Sequence, residues 1–317
     1  MIQMGLRQRL GVTAIAKLIG RDKSVVSREV GRNVGPDGNY YAPAAHRLAK
    51  QRRARPKSFK LVECPGLCRR IEEWMDQGWS PKLISSVLAM ESDGDQTERV
   101  SHETIYQALY VQTRGSLRAD LNQRLSLKRK QRQPRGGDRR SSLYRDAFTI
   151  SQRPAEVADR AVPGHWEGDL ILGAGNRSAI GTLVERSTRF TILLHLPGRH
   201  TADEVAQAMI REMRRLPEHL RRSITWDRGS ELAEYEHIQV ALNAELFFCD
   251  PSSPWQRGTN ENTNRLLRFW FDKGSDLSVH TAADLKRVQA TLNSRPRPTL
   301  NLETPAARLN NLLKTAA

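Results

Sequence analysis

Three carboxylate residues in the second half of the chain have the types and spacing of a metal-dependent site. Asp169 lies within a short predicted strand, Asp227 ends another, and Glu261 lies near the start of a predicted helix. Carboxylates that converge without basic partners repel one another, and a divalent cation removes that repulsion. Oxygen-only ligands favour Mg²⁺ or Mn²⁺ over Zn²⁺. Two such ions about 4 Å apart activate a water or a hydroxyl and stabilise the leaving oxygen of an in-line displacement.

The strand that carries Asp169 offers a second carboxylate. Glu167 points to the same strand face as Asp169, because side chains alternate along a strand. Asp169 is followed by three apolar residues and therefore lies deeper in the strand. We favour Asp169 as the metal ligand and Glu167 as its neighbour.

The helix that begins near Gly258 predicts one polar and one apolar face. At about 100° per residue, the side that carries Glu261 also carries Asn264, Arg265 and Arg268. Leu266, Leu267 and Trp270 fall on the opposite side. We expect the polar side to meet metal and phosphate. A surface helix with an ordinary Glu–Arg pair four residues apart has the same pattern. The pattern of this helix alone therefore does not distinguish a catalytic helix from a surface helix.

The elements around these residues predict an α/β domain. Short strands are expected at residues 165–172, 179–184, 190–196, 224–227 and 245–249. Helices are expected at 202–215, at 235–242 and from Gly258 onward. This order is compatible with a mixed five-stranded sheet flanked by helices.

Positive charge is concentrated in the first half of the chain. The 317 residues carry 51 Lys and Arg against 35 Asp and Glu, a net charge of +16. The first 160 residues hold 31 of the basic and 17 of the acidic residues. Such a surplus indicates an anionic partner such as nucleic acid, and it predicts binding that weakens steeply with salt.

Composition excludes several classes of protein. The mean hydropathy is −0.60, and no apolar run approaches the roughly 18 residues that a membrane span needs. The first residues lack the apolar stretch of a secretory signal, so we expect a cytoplasmic protein. The three cysteines are too few for a disulfide framework. Cys64 and Cys68 have no second pair at a zinc-ligand spacing, which favours structural thiols.

The first 35 residues predict a helix-turn-helix. Residues 11–30 form two short helical patterns joined by a turn at Gly20, and Asp22 is positioned to cap the second helix. Val25 and Val26 are expected to pack against the first helix of the pair. The outward-facing residues of the second helix would enter the major groove of DNA, and they are Lys23, Ser24, Ser27, Arg28 and Arg32. An ordinary helical hairpin is the alternative.

A second helix-turn-helix is predicted at residues 67–115, between two basic linkers. Ser80 and Pro81 begin one helix, and Ser101 begins the next, in which Ile105 and Leu109 share a buried face. The linkers at residues 36–66 and 116–160 are rich in Arg and Lys and are expected to contact phosphates without reading sequence. The α/β domain is assigned to residues 161–317.

Three phrases closely resemble the DDE transposases of the insertion-sequence-30 family. They are GHWEGDLI at 164–171, TWDRG at 225–229 and the long, specific CDPSSPWQRGTNENTN at 249–264. Thirty-three residues separate Asp227 from Glu261, which is the spacing by which that family is described. The resemblance covers nearly the whole chain, including both helical pairs and the C-terminal SRPR and ETP phrases.

The resemblance implies a ribonuclease H-like catalytic domain that follows all-α DNA-binding domains. It implies a catalytic and metal-binding triad of Asp169, Asp227 and Glu261 that holds two Mg²⁺ ions, for which Mn²⁺ can substitute. Asp169 would bridge both ions. Such enzymes bind the terminal inverted repeats of their element, cut a strand at its ends, and join the freed 3′-hydroxyl to target DNA. We expect a homodimer or higher oligomer on DNA, because two ends must meet, in a protein of the bacterial nucleoid.

Further DNA contacts are expected outside the first helix-turn-helix, at His102, Thr104, Arg257, Asn260, Asn264 and Arg268. Arg268 resembles the basic residue that such enzymes carry seven positions after the glutamate. One departure concerns the beginning of the chain. Only ten residues precede Gly11, where family members have a longer helix, so the first helix is shortened or Met1 is not the natural start.

Three other functions fit part of these observations. A DNA-binding transcription regulator needs only the two helix-turn-helix units, but it leaves the acidic residues and the 249–264 phrase without a role. An integrase or recombinase of the same fold would differ in the DNA ends that it binds. An inactive copy of a transposase would bind DNA without cutting it.

Overall fold

The computed structural model describes residues 1–53, 60–110, 161–227, 229–250 and 254–315. The chain divides into two compact units, Met1–Glu63 and Cys64–Ala317. None of the helices in these described ranges is long and apolar enough to cross a membrane. The predicted basic linker at 116–160 lies outside the described residues, as do Arg228 and residues 251–253 of the family phrases.

The first unit is helical. Its helices are α1 (Ile2–Arg7), α2 (Val12–Ile19), α3 (Lys23–Asn33), α4 (Ala42–Arg53) and α5 (Lys60–Glu63). The α2–α3 pair has the predicted turn, because Gly20 adopts the left-handed conformation that ends α2. The Asp22 carboxylate accepts a hydrogen bond from the Ser24 amide at 2.7 Å and caps α3, as predicted.

The core between α2 and α3 differs from the prediction at one residue. Ile15, Ala16 and Val26 are buried together. Val25, which was expected to join them, is 45% exposed. A helix turns about 100° per residue, so the neighbour of a fully buried valine points away from the core.

The basic stretch after α3 is more ordered than a linker. Residues 42–53 form the helix α4, with Lys50, Arg52 and Arg53 in its last turn. Cations there interact favourably with the negative end of the helix dipole. The prediction of a linker across residues 36–66 was therefore wrong for this stretch, because charge density concealed its helical pattern.

The second unit begins with three helices, α6 (Pro65–Asp76), α7 (Pro81–Glu91) and α8 (His102–Tyr110). Ser80 caps α7 through a hydrogen bond from the Leu83 amide, with Pro81 at the first helical position. Ser101 accepts a hydrogen bond from the Thr104 amide at the start of α8. Ile105 and Leu109 are buried. The second helical pair is thus present as predicted.

The rest of the second unit is an α/β domain around a five-stranded sheet. The strands are β1 (His165–Leu172), β2 (Ala179–Glu185), β3 (Thr191–His195), β4 (Ser223–Trp226) and β5 (Glu245–Phe248). Their order is β3-β2-β1-β4-β5. β1, β2 and β3 pair antiparallel, whereas β4 and β5 run parallel to β1. This is the predicted mixed sheet.

Five helices accompany the sheet: α9 (Ala202–Met213), α10 (Tyr235–Leu242), α11 (Gly258–Leu267), α12 (Ala282–Ser294) and α13 (Pro305–Thr315). α9 and α10 cover one face, where Trp166 and Trp226 are buried among aliphatic side chains. α11 and α12 cover the other face, whose smaller apolar core includes Ile171 and Phe271.

Two side-chain amides of α12 complete the edge of the sheet. β3 is an edge strand, and two of its backbone amides would otherwise lack partners. The Thr191 amide donates to Asn293 and the Leu193 amide donates to Gln289, both at 2.9 Å. Asn293 also donates to the Thr191 carbonyl oxygen at 2.8 Å. The helix therefore blocks pairing of this edge with another chain.

Gly168 lets the ring of the buried Trp226 pack directly against the backbone of β1. A Cβ atom at this position would collide with the ring of Trp226 and contact Leu183 at 3.1 Å. The indole of Trp226 is fully buried and has no room to withdraw. The absence of a side chain at residue 168 therefore leaves the space that the Trp226 ring occupies.

We expect Gly168→Ala to lower the free energy of unfolding by about 1–3 kcal/mol or more, because the core has no space for the added methyl group. Denaturant unfolding of the full chain measures this loss. The control is Gly66→Ala in α6, where no atom lies within 4 Å of the added Cβ. Equal stability of the two variants would contradict the packing argument.

Candidate active site

The two candidate aspartates lie side by side on neighbouring strands. In the parallel pair of β1 and β4, Glu167 is opposite Thr225. Asp169 and Asp227 each come two residues later, so they lie at the same level of the sheet and on the same face. Asp227 is the first residue after β4. This face is the one that α11 covers.

One arginine connects the two aspartates. The Arg257 Nη1 lies 3.1 Å from Asp169 Oδ1 and donates to the Gly168 carbonyl oxygen at 3.0 Å. Its Nη2 donates to Asp227 Oδ2 at 2.8 Å. Burial alone would lower the pKa of Arg257, but the charges of Asp169 and Asp227 raise it above its ordinary value. A single buried cation thus bridges the two carboxylates and offsets part of their negative charge.

Asp169 is held from three sides. Its Oδ1 accepts from the Leu170 amide at 3.0 Å, and its Oδ2 accepts from Asn264 Nδ2 at 3.0 Å. Burial raises the pKa of the Asp169 carboxyl, and the guanidinium of Arg257 opposes that rise. The carboxylate is therefore oriented by hydrogen bonds, and its cationic partner favours the charged form.

Glu167 anchors the helix that packs on this face. Its Oε2 accepts hydrogen bonds from the amides of Thr259 and Asn260 at 2.9 and 3.0 Å, in the first turn of α11. Its Oε1 lies 3.0 Å from Arg186 Nε. The residue is fully buried. Both oxygens have partners within the protein, so in this structure Glu167 connects the sheet to α11.

Asn260 and Arg257 occupy positions that differ from the predicted DNA contacts. Asn260 is fully buried, and its amide nitrogen donates to the Glu167 carbonyl oxygen at 3.1 Å. Its Oδ1 lies 3.0 Å from Thr182 Oγ1. Arg257 is only 9% exposed and faces the aspartates. Asn260 faces inward because the first half of α11 meets a polar part of the sheet, so this structure does not present it to DNA. Arg257 contacts the aspartates here, and its contact with DNA stays a prediction.

Asn264 is also turned toward the sheet. The residue is half-buried, donates to Asp169 and has its Oδ1 3.0 Å from Thr182 Oγ1. It therefore orients a candidate catalytic carboxylate, which is a different role from the predicted DNA contact.

Glu261 and Arg268 lie at opposite ends of α11. Glu261 is exposed in the first turn. Arg268 follows the last residue of the helix and donates to the carbonyl oxygens of Leu172 and Phe271, both at 3.3 Å. Burial lowers the pKa of Arg268. Within the described residues, which include all three candidate carboxylates, no group of three His, Cys, Asp or Glu is close enough to hold a metal ion.

The helical residues predicted to contact DNA lie at the surface. In α3, all five candidates are exposed: Lys23, Ser24, Ser27, Arg28 and Arg32. The guanidinium of Arg28 donates to the Ser24 carbonyl oxygen at 3.1 Å, one turn away. In α8, His102 is exposed and Thr104 is half-buried.

Comparison with known proteins identifies the domain and the family. Residues 159–254 match the model of the integrase core domain. The chain is 41% identical over 315 residues to the transposase for insertion sequence element IS1086 of Cupriavidus metallidurans, covering 98% of this chain and 92% of the relative. It is 40% identical over 309 residues to transposase InsI for element IS30A of Escherichia coli, covering 96% and 80%.

The chain belongs to the insertion-sequence-30 family of transposases. It is also 33% identical over 314 residues to the transposase for element IS4351 of Bacteroides fragilis, covering 98% of this chain and 94% of the relative. The integrase core has a ribonuclease H-like fold, which confirms the predicted fold class. This transposase is a polynucleotidyl transferase of the DDE type that acts on DNA and depends on a divalent metal.

Two functional features of this transposase were missed at the sequence level. The alternation of β1 places Glu167 beside Asp169, but it does not show that Glu167 accepts two backbone hydrogen bonds from α11. Arg257 was assigned to DNA because it is basic and lies in a family phrase. The available signal was its position immediately before α11. A residue there lies beside the first turn of the helix, and Glu261 in that turn was expected to lie near the aspartates.

We expect Glu167→Gln to destabilise the chain by about 3–5 kcal/mol, because it removes the carboxylate of a buried ion pair with Arg186. Denaturant unfolding measures the loss. Glu261→Gln is the control, since this carboxylate lies on α11, the helix that Glu167 anchors, and is exposed. Its stability should stay within about 0.5 kcal/mol of the wild type. A similar small effect of Glu167→Gln would refute the anchoring role.

Proposed function

We propose that this transposase binds the terminal inverted repeats of its insertion sequence, cuts DNA strands at those ends, and joins the freed 3′-hydroxyl to target DNA. The observation that carries the proposal is the placement of Asp169 and Asp227 on adjacent parallel strands, where their carboxylates share a single cationic partner. We assign the catalytic triad to Asp169, Asp227 and Glu261.

The residues fit a divalent cation. Asp169 and Asp227 supply only oxygen ligands, and both already reach one positive group. These are the donors that Mg²⁺ prefers, and Mn²⁺ substitutes for it at such sites. Glu261 is exposed in the first turn of α11, so turning its side chain toward the aspartates disturbs no packing. We propose two ions per site, held by these three residues.

The bound cations supply Lewis-acid stabilisation of charge at the phosphodiester and activate the attacking water or 3′-hydroxyl. The residues of the chain orient this chemistry. Asn264 and the Leu170 amide fix the Asp169 carboxylate, and Glu167 holds the helix that presents Glu261. Arg257 offsets part of the negative charge of the aspartates while no cation is bound, and its guanidinium would become available to a DNA phosphate when cations replace it.

Binding of DNA is assigned first to the exposed face of α3. Its basic and hydroxyl side chains, Lys23, Ser24, Ser27, Arg28 and Arg32, have the arrangement of a recognition helix that enters the major groove. His102 and Thr104 at the start of α8 are proposed as a second contact. Two ends must be brought together, so we propose a homodimer or higher oligomer on DNA.

We expect Asp169→Asn, Asp227→Asn and Glu261→Gln each to reduce strand cleavage and joining by at least about 10²–10³-fold, because each removes charge that stabilises the transition state. The assay uses supercoiled plasmid that carries the two ends of the element, with Mg²⁺, Mn²⁺ or EDTA. The control is Glu245→Gln, an exposed carboxylate at the start of β5.

Binding of the DNA ends should be retained by all three variants. Cleavage that survives in EDTA or in the Asp227→Asn variant would refute the metal-dependent triad. Binding by the wild type without cleavage under either metal would instead favour the transcription regulator or an inactive copy.

We expect Arg257→Gln to lower the melting temperature of the metal-free chain and to enlarge the rise that Mn²⁺ produces. Without the guanidinium, Asp169 and Asp227 lose the cation that they share, and Mn²⁺ no longer competes with it. A loss of 1 kcal/mol corresponds to about 2–4 °C for a unit of this size.

Thermal unfolding in EDTA measures the melting temperature of the metal-free chain, and a Mn²⁺ titration measures the rise. Neither needs an activity assay. The control is Arg265→Gln, which removes an exposed arginine on α11 that is bonded to Asn262. If the two variants melt alike and respond alike to Mn²⁺, Arg257 does not occupy the place of the cation.

A further inference from the structure

Four arginines in the described part of the chain are no more than 9% exposed, and they fall into two classes. Arg186 and Arg257 have carboxylate partners, as described above. Arg295 and Arg297 are 7% and 8% exposed, and no carboxylate lies within ion-pair distance of either in the described ranges. Both belong to the SRPR phrase at the end of α12. The proposed catalytic site gives this phrase no role.

The hydrogen bonds of these two arginines leave donors unused. Arg295 Nη1 donates to the Gly78 carbonyl oxygen at 2.8 Å, and Arg297 Nη2 makes a long bond of 3.4 Å to the Leu292 carbonyl oxygen. The Nε of each is buried and has no hydrogen-bond partner in the structure described. Leaving such donors unpaired costs more than a normal hydrogen bond contributes, above all when the group is charged.

A third arginine adds to the positive charge. Arg189 lies close enough for its charge to act on Arg297, and Arg189, Arg295 and Arg297 are called the guanidinium cluster below. Burial lowers the pKa of Arg295 to about 10. Burial, together with the charges of Arg295 and Arg189, lowers the pKa of Arg297 to about 9. Arg295 and Arg297 therefore remain cationic at neutral pH, and the charges of Arg295 and Arg189 act unfavourably on Arg297.

The guanidinium cluster lies beside the helix that carries Glu261. Arg189 Nη1 donates to Thr259 Oγ1 at 2.6 Å. Thr259 is the second residue of α11 and lies two positions before Glu261. A group bound by the cluster would therefore be near the proposed catalytic carboxylates, on the side of the first turn of α11.

We propose that the guanidinium cluster is a binding site for a phosphate group of the DNA backbone. Arg295 and Arg297 are buried cations without a carboxylate partner in the described residues, and such charges are compensated when an anion binds. The planar guanidinium fork matches phosphate oxygens with two parallel hydrogen bonds. The proposal rests on the proposed function, because it takes DNA as the source of the phosphate. Free inorganic phosphate has the same chemistry and is the second source to be tested.

The first experiment uses inorganic phosphate and the full chain without DNA. We expect phosphate, compared with chloride at equal ionic strength, to raise the melting temperature of the wild type. Arg297→Gln should abolish this rise. In the absence of phosphate the variant should melt at the wild-type temperature or above it, because it loses a buried unpaired charge. A merely structural role would instead lower its melting temperature and leave the phosphate response intact.

The second experiment measures binding of the element's ends as a function of salt, in EDTA so that no strand is cut. One lost phosphate contact lowers the slope of log K against log salt by about 0.9, which is about an eightfold weaker binding at 0.1 M salt. We expect Arg297→Gln to show this loss for specific and non-specific DNA alike, and Arg297→Lys to recover part of it. Arg287→Gln, an exposed arginine of α12 paired with Asp284, is the control and should bind as the wild type does.

The outcomes separate the site from the proposed function. If Arg297→Gln binds DNA with the salt slope and affinity of the wild type, the phosphate site is overturned. Cleavage by the wild type would still support the proposed function. A response to inorganic phosphate alone, with unchanged DNA binding, would overturn DNA as the source. If Arg297→Gln does not fold, Arg297→Lys and Arg295→Lys are compared with the wild type, and unchanged salt slopes in both would overturn the proposal. If the wild type binds no DNA, the proposed function fails first.

Discussion

The geometry of the candidate active site depends on one buried carboxylate that has no part in the chemistry. Glu167 projects from β1 into the first turn of α11 and accepts two of its backbone amides. Those amides have no partner within the helix, and a helix end buried without partners is costly. The negative charge also suits the positive end of the helix dipole, and Arg186 balances it. The sheet and the helix are thereby fixed relative to each other.

This anchor determines where several other groups lie. Arg257 immediately precedes α11, Glu261 is in its first turn, and Asn264 is one turn later. Because Glu167 and Asp169 are two residues apart on one strand, the helix that Glu167 holds necessarily passes over Asp169. The hydrogen bond from Asn264 to Asp169 follows from this geometry. One strand therefore supplies both the anchor of the helix and the carboxylate that the helix orients.

The fold could be predicted from the sequence further than the site could. Alternating and continuous apolar runs mark all five strands, and the caps Asp22, Ser80 and Ser101 mark the helix starts, because these signals are local. Asn260 was expected to contact DNA, and the sequence does not show that this polar residue of α11 faces the sheet. The identity of the sheet face that α11 meets depends on strands that lie more than 75 residues earlier.

Charge compensation was the least predictable property for the same reason. Arg186, Arg257, Arg295 and Arg297 are equivalent in a count of net charge, yet the fold pairs the first two with carboxylates and leaves the last two without them in the described residues. Which arginine finds a carboxylate depends on contacts between distant segments, such as the one between Arg257 and Asp169. Composition therefore indicated an anionic partner correctly. It placed the excess charge in the first half of the chain and gave no indication of the buried arginines in the second half.

The two kinds of buried arginine have opposite consequences for ligand binding. Arg257 stabilises the aspartates without metal, so a divalent cation must displace it and binds less tightly than it would to free carboxylates. Arg295 and Arg297 have no carboxylate partner in the described residues. An anion that binds them therefore displaces no internal ion pair. Since Glu167 holds Thr259 and Asn260 in place, displacement of Arg257 is confined to its own side chain and does not require α11 to move. The metal site and the guanidinium cluster can therefore be filled independently, on a helix that stays fixed.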